Sequence, residues 1–69
     1  MSVPGKIIKI ENGTATVDYG SEKRVATVLG DEFSPGDYVI VMGRVVVQKI
    51  PEKQAVDAIR FYNEAVAKG

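Results

Sequence analysis

Residues 6–20 read KIIKIENGTATVDYG, and this stretch decides the fold. Lys6 to Ile10 is a compact β-branched run, the composition of a strand. Asn12-Gly13 follows, and both residues tolerate the positive φ that a two-residue hairpin turn demands. Thr14 to Tyr19 then alternates. Ala15, Val17 and Tyr19 share one face, while Thr14, Thr16 and Asp18 share the other. Gly20 and Ser21 mark the tip of the next turn.

The same grammar continues outward from this hairpin. Arg24 to Leu29 (RVATVL) reads as a third strand. Residues 30–37, GDEFSPGD, form a longer loop. In it Pro35 presets φ for the first central position of a turn, and Gly36 suits the second position of a type II turn. Asp37 to Met42 is a fourth strand, Gly43-Arg44 a tight connection, and Val45 to Ile50 a fifth strand. Five short antiparallel strands at close spacing predict a small closed or nearly closed barrel, because closure removes exposed edges.

The tail changes period. Pro51 suits a first helical turn, and Glu52 places negative charge near a helix N-terminus. Ala55, Ala58, Ile59, Tyr62, Ala65 and Val66 recur at helical spacing on one face. Asp57, Arg60, Asn63, Glu64 and Lys68 lie mostly elsewhere. Short helices need tertiary support, so this face is expected to pack on the barrel, with docking on a partner as the alternative. The expected organisation is one domain, residues 1–69, with the barrel over 1–50 and the helix over 51–68.

Composition narrows the function. A chain of 69 residues buries only ~60% of the surface its unfolded form exposes, which argues against a deep enclosed active site. Lys plus Arg and Asp plus Glu number 9 each, a balance that argues against bulk electrostatic binding to nucleic acid or an anionic membrane. The chain has no cysteine and no histidine. It therefore lacks a thiolate nucleophile and the commonest general base and metal ligand. No secretory signal and no apolar run of membrane-spanning length is present, so the expected compartment is the cytoplasm.

The start of the chain, MSVPGK at 1–6, places a Pro-Gly pair where chains usually fray. Either this segment is tied into the fold or it is displayed for use. Met42 ends an apolar strand and reads first as core filling, with a soft metal ligand as the sharper alternative. Asp18 and Asp37 read as a turn or polar-face pair before they read as acid–base carboxylates. Tyr19, Phe33, Tyr38 and Arg44 offer the stacking platform of a nucleic-acid-binding barrel, provided Lys6, Lys9, Lys23, Arg24 and Lys49 cluster into a basic groove.

Four pieces occur in a familiar order: VPGKI at the start, TATVDYG after the first turn, PGDYVIV in the middle and VQKI before an acidic-started helix. Together they resemble the HypC/HupF family of hydrogenase assembly chaperones over nearly the whole chain. The resemblance implies an OB-like five-stranded barrel with a C-terminal helix and a non-enzymatic role. It implies binding to a HypD-type maturation protein while the iron centre of nickel–iron hydrogenases is built, and then to the hydrogenase large-subunit precursor. The family's working residue is a cysteine just after the initiator methionine, a soft, strongly donating iron ligand.

The chain departs from that pattern where the iron would be held. Aligned on Val3-Pro4-Gly5, Ser2 falls on the family's small residue and Met1 on the apolar residue before it. The family's histidine after the fourth strand falls on Met42, and its glycine two places later falls on Arg44. Three readings stay open: a chain whose native start carries a Met-Cys upstream, a paralogue that keeps the partner surface without iron binding, or a barrel with another job. No stably bound cofactor is expected, and iron would be handled transiently only if that upstream cysteine exists. The resemblance places the partner-binding surface on Ser2, Val3, Pro4, Gly5 and Lys6, together with the rim at Met42, Gly43 and Arg44.

Overall fold

A computed structural model describes residues 3–68. It contains five strands, β1 (Gly5–Glu11), β2 (Thr14–Asp18), β3 (Lys23–Thr27), β4 (Tyr38–Met42) and β5 (Val45–Ile50), followed by helix α1 (Glu52–Lys68). The strands close into a barrel in the order β1-β2-β3-β5-β4. The fold is the expected mainly-β, five-stranded OB-like barrel with a C-terminal helix.

Turn chemistry sets the two tight hairpins. Asn12 and Gly13 have φ of 50° and 75°, the left-handed pair of a type I′ turn between β1 and β2. Gly43 and Arg44, at 57° and 66°, do the same between β4 and β5. In the long loop Gly36 has φ of 97°, and the Asp37 amide donates to the Ser34 carbonyl at 3.1 Å, closing the expected Ser-Pro-Gly-Asp turn. That turn is stitched to β1: Ile7 N–H donates to the Asp37 carbonyl at 2.9 Å, and Gly36 N–H to the Ile7 carbonyl at 2.7 Å.

One pairing corrects the sequence reading. The strands are not all antiparallel, because β3 and β5 run parallel and meet at a single register position, Thr27↔Val45. The cause is topological. The 28–37 loop carries the chain across the barrel, so β4 returns beside β1 through Gly5↔Val39 and Lys6↔Tyr38. The next hairpin then delivers β5 alongside β3 in the same direction. Elsewhere the wall is well zipped, with β2 and β3 paired from Thr14↔Thr27 to Asp18↔Lys23.

Ile7, Val17 and Val39 are the largest fully buried side chains. Ala15, Ala26 and Val46 fill the space between them, and Phe33 enters from the long loop and is 8% exposed. Each fully buried valine- or isoleucine-sized side chain contributes about 1.5–3 kcal/mol, so this small cluster dominates stability.

The helix corrects the second expectation. Of its predicted packing face, Ala55 is fully buried and Ile59 half-buried, while Ala58, Tyr62, Ala65 and Val66 are exposed. Phe61, on the flank of that face, is 68% exposed. A 17-residue helix is about 25 Å long, longer than the barrel is wide. Its first turn opens with Ala55 N–H donating to the Pro51 carbonyl at 3.0 Å and buries the Ala55 side chain; from there it runs past the barrel, and the molecule measures 39 × 21 × 18 Å.

Candidate functional site

The Pro-Gly pair near the N-terminus is part of the barrel wall. Pro4 and Gly5 are buried, and Gly5 pairs with Val39. A Cβ on Gly5 would collide with the Val17 side chain and come within 2.9 Å of the Tyr19 ring, so only glycine lets β1 start this close to β2. The terminal segment is thus tied into the fold at least as far back as Pro4. Ser2 lies outside the described residues. Val3 is half-buried.

Val3 also lines a cleft of about 450 Å³ that opens where the barrel seam is least zipped. Val17, Ala26 and Val41 form its apolar floor. Tyr19, Glu22, Arg24 and Val25 line it as well, and Gly43 and Arg44 join Val3 in the same lining. Two segments about 40 positions apart in the chain therefore meet at one opening, brought there by β1 on one side and the β4–β5 turn on the other. Val3 and Tyr19 also border a neighbouring hollow that reaches Ile59 and Tyr62 of α1.

The other expected site residues fall elsewhere. Lys6 is exposed, with its ammonium 5.9 Å from the centroid of the Tyr38 ring, a cation–π arrangement outside the cleft. Met42 does not line the cleft either. It is 62% exposed, which overturns the core-filling reading. Val41 is the last residue of β4 that points inward, and Met42, paired with Val45, falls on the outer side of the wall.

The cleft carries mixed charge. Arg24 is held 3.2 Å from the Glu22 carboxylate, whereas Arg44 has no ion pair among the described residues. Burial raises the Tyr19 phenol above its ordinary value of 10.0, opposed by the nearby Arg24 and reinforced by Glu22. Tyr19 therefore stays a neutral phenol through the physiological range. Glu22, Val25, Ala26 and Val41 are cleft residues that sequence reading did not single out. The available signal was Val25 itself, an apolar residue on the same face of β3 as Thr27.

Two other arrangements suggested by the sequence do not assemble. Asp18 Oδ1 accepts from the Gly20 amide at 2.8 Å, and Asp37 Oδ2 accepts from the Ser34 amide at 2.9 Å, so both carboxylates organise turns. The aromatic platform is broken because Phe33 is in the core. The basic groove is diluted too, since Lys9, Arg24 and Lys49 sit 3.8, 3.2 and 3.4 Å from Glu11, Glu22 and Asp37. Among the described residues no group of three His, Cys, Asp or Glu is placed to hold a metal ion. A phenol, two guanidinium groups and one paired carboxylate do not make an iron site. Among the described residues no helix is long and apolar enough to cross a membrane.

The fold and the site define a small closed β-barrel with a side cleft lined by apolar and charged residues. A model of the HupF/HypC family matches residues 1–62. The chain belongs to that family of hydrogenase-maturation chaperones. No curated protein matches the chain.

Proposed function

We propose that the protein is a maturation adaptor that binds a HypD-type protein, the hydrogenase large-subunit precursor, or both, through the rim where Val3 meets Gly43 and Arg44. The supporting observation is the convergence of the N-terminal segment and the β4–β5 turn on one cleft. The family's iron-handling step is not assigned to the residues in this chain. The contribution proposed for these residues is contact with the partner, with Met42 exposed on the outer wall. Co-purification with each partner tests the reading. Capture of at least one, weakened by Arg44→Glu, is expected. A folded barrel that captures neither would overturn it.

A further inference from the structure

The edge of β3 beside the cleft is an unused strand edge. The Thr27 amide donates away from β2, to the Arg44 carbonyl at 2.8 Å, while the Val28 amide donates toward β2, to the Gly13 carbonyl at 2.8 Å. Strand backbone groups alternate sides with a period of two. The N–H and C=O of Val25 and of Lys23 therefore point the same way as those of Thr27. Among the described residues no strand faces them: β5 reaches β3 only at Thr27, and the chain turns away at Gly43-Arg44. Val25 is 65% exposed on this edge, unusual for a valine in the middle of a strand.

We infer that this edge receives an extended segment of a partner protein as an added strand, and that the segment carries small β-branched side chains followed by an acidic residue. The inference rests on the adaptor reading above and specifies how its cleft is used. Unpaired backbone groups call for an extended chain, since they are satisfied by another backbone. Val3, Val25 and Val41 give the cleft accessible apolar lining, which suits compact apolar side chains. Lys23 at one end of the edge and Arg44 at the other have no ion pair among the described residues, so the occupant's complement is negative.

The test uses the whole chain, isotope-labelled, with an acetylated pentapeptide Thr-Val-Thr-Val-Glu as probe. Amide hydrogen exchange at Val25 and Lys23 should slow about ten-fold at saturating peptide, while Ala26, already facing β2, should not change. Arg44→Glu should weaken the peptide by about three- to ten-fold, as expected for a rim charge. Val25→Pro should abolish binding without unfolding the chain, because the N–H it removes faces no strand. Peptide binding that leaves the Val25 amide unprotected, or no binding at millimolar peptide, would overturn strand addition. If Val25→Pro captures the maturation partners as well as the unaltered chain does, the adaptor function stands and this mode of contact falls. If Val25 is protected by the peptide but neither partner is captured, strand addition stands and the adaptor function falls.

Discussion

The barrel wall and the helix that leaves it carry equally clear amphipathic patterns, yet only the wall buries its apolar face. In β2 the alternating Ala15 and Val17 are both fully buried. In α1 the helical repeat runs Ala55, Ile59, Tyr62, Val66, and exposure climbs to 61% at Val66. The difference is one of neighbours. Every strand has a neighbour on each side in the closed barrel, and the inward side chains meet in one core. The helix buries Ala55 in its first turn and half-buries Ile59 in the next. Total accessible surface is 4993 Å² for 7.5 kDa, against about 4200 Å² for a compact monomer of that mass. Periodicity identifies the face a segment can bury, but whether it is buried depends on how much surface the rest of the fold offers.

The comparison breaks most visibly at the core. Ile7→Ala should cost about 2–5 kcal/mol through lost burial and the cavity left behind. A chain of this length has only about 3–10 kcal/mol in total, so the variant should be largely unfolded at 37 °C by circular dichroism. The matching truncation in the helix, Ile59→Ala, should lower the unfolding free energy measured in urea by less than about 1 kcal/mol. Near-equal losses at the two positions would mean that the helix is packed as firmly as the wall. Gly5→Ala comes next, at about 1–3 kcal/mol, because the new methyl must displace Val17 or Tyr19 within a filled wall.

Much of this was legible in the sequence because local chemistry agreed with the fold. Asn12-Gly13, Pro35-Gly36 and the alternation of β2 each have a mechanism that acts within a few residues. What was not legible depends on long-range geometry. The parallel β3–β5 seam follows from where the long loop delivers β4, which no local signal states. The need for glycine at position 5 comes from Val17 and Tyr19, more than ten positions away. Of the positions to which the family resemblance pointed, Val3, Gly43 and Arg44 line the cleft, whereas Lys6 and Met42 do not. The floor and the Val25 edge emerged only once the seam was in place. Met42 shows the same limit, since an apolar residue at a strand end lies inside or outside according to where the wall stops.

The two I′ turns sharpen the contrast within the wall itself. Asn12 takes its left-handed conformation at little cost, whereas Arg44 holds a long side chain in a region that disfavours it by about 1 kcal/mol. Arg44→Gly should therefore stabilise the barrel by up to about 0.5 kcal/mol, after the entropy glycine adds to the unfolded chain. That is at most roughly 2–4 °C in melting temperature for a domain of this size. Asn12→Gly should change it little. Partner capture should fall with Arg44→Gly even as stability rises, since the unpaired cation at the rim is gone. A variant that lost both stability and binding would show that the arginine is a structural part of the turn.

The smallest effect belongs to the far half of the helix. Phe61 and Val66 are 68% and 61% exposed, so neither has much buried area to lose. The double change Phe61→Ser, Val66→Ser should alter the unfolding free energy measured in urea by no more than about 0.5 kcal/mol, the range of surface substitutions. Any small loss should come from helix propensity, not from packing, and should therefore be accompanied by reduced helical signal with an unchanged barrel. Destabilisation above about 1 kcal/mol, with the barrel unfolding at lower urea, would show that the helix lies down on the wall in solution. In that case the contrast between a covered sheet and an uncovered helix would no longer hold.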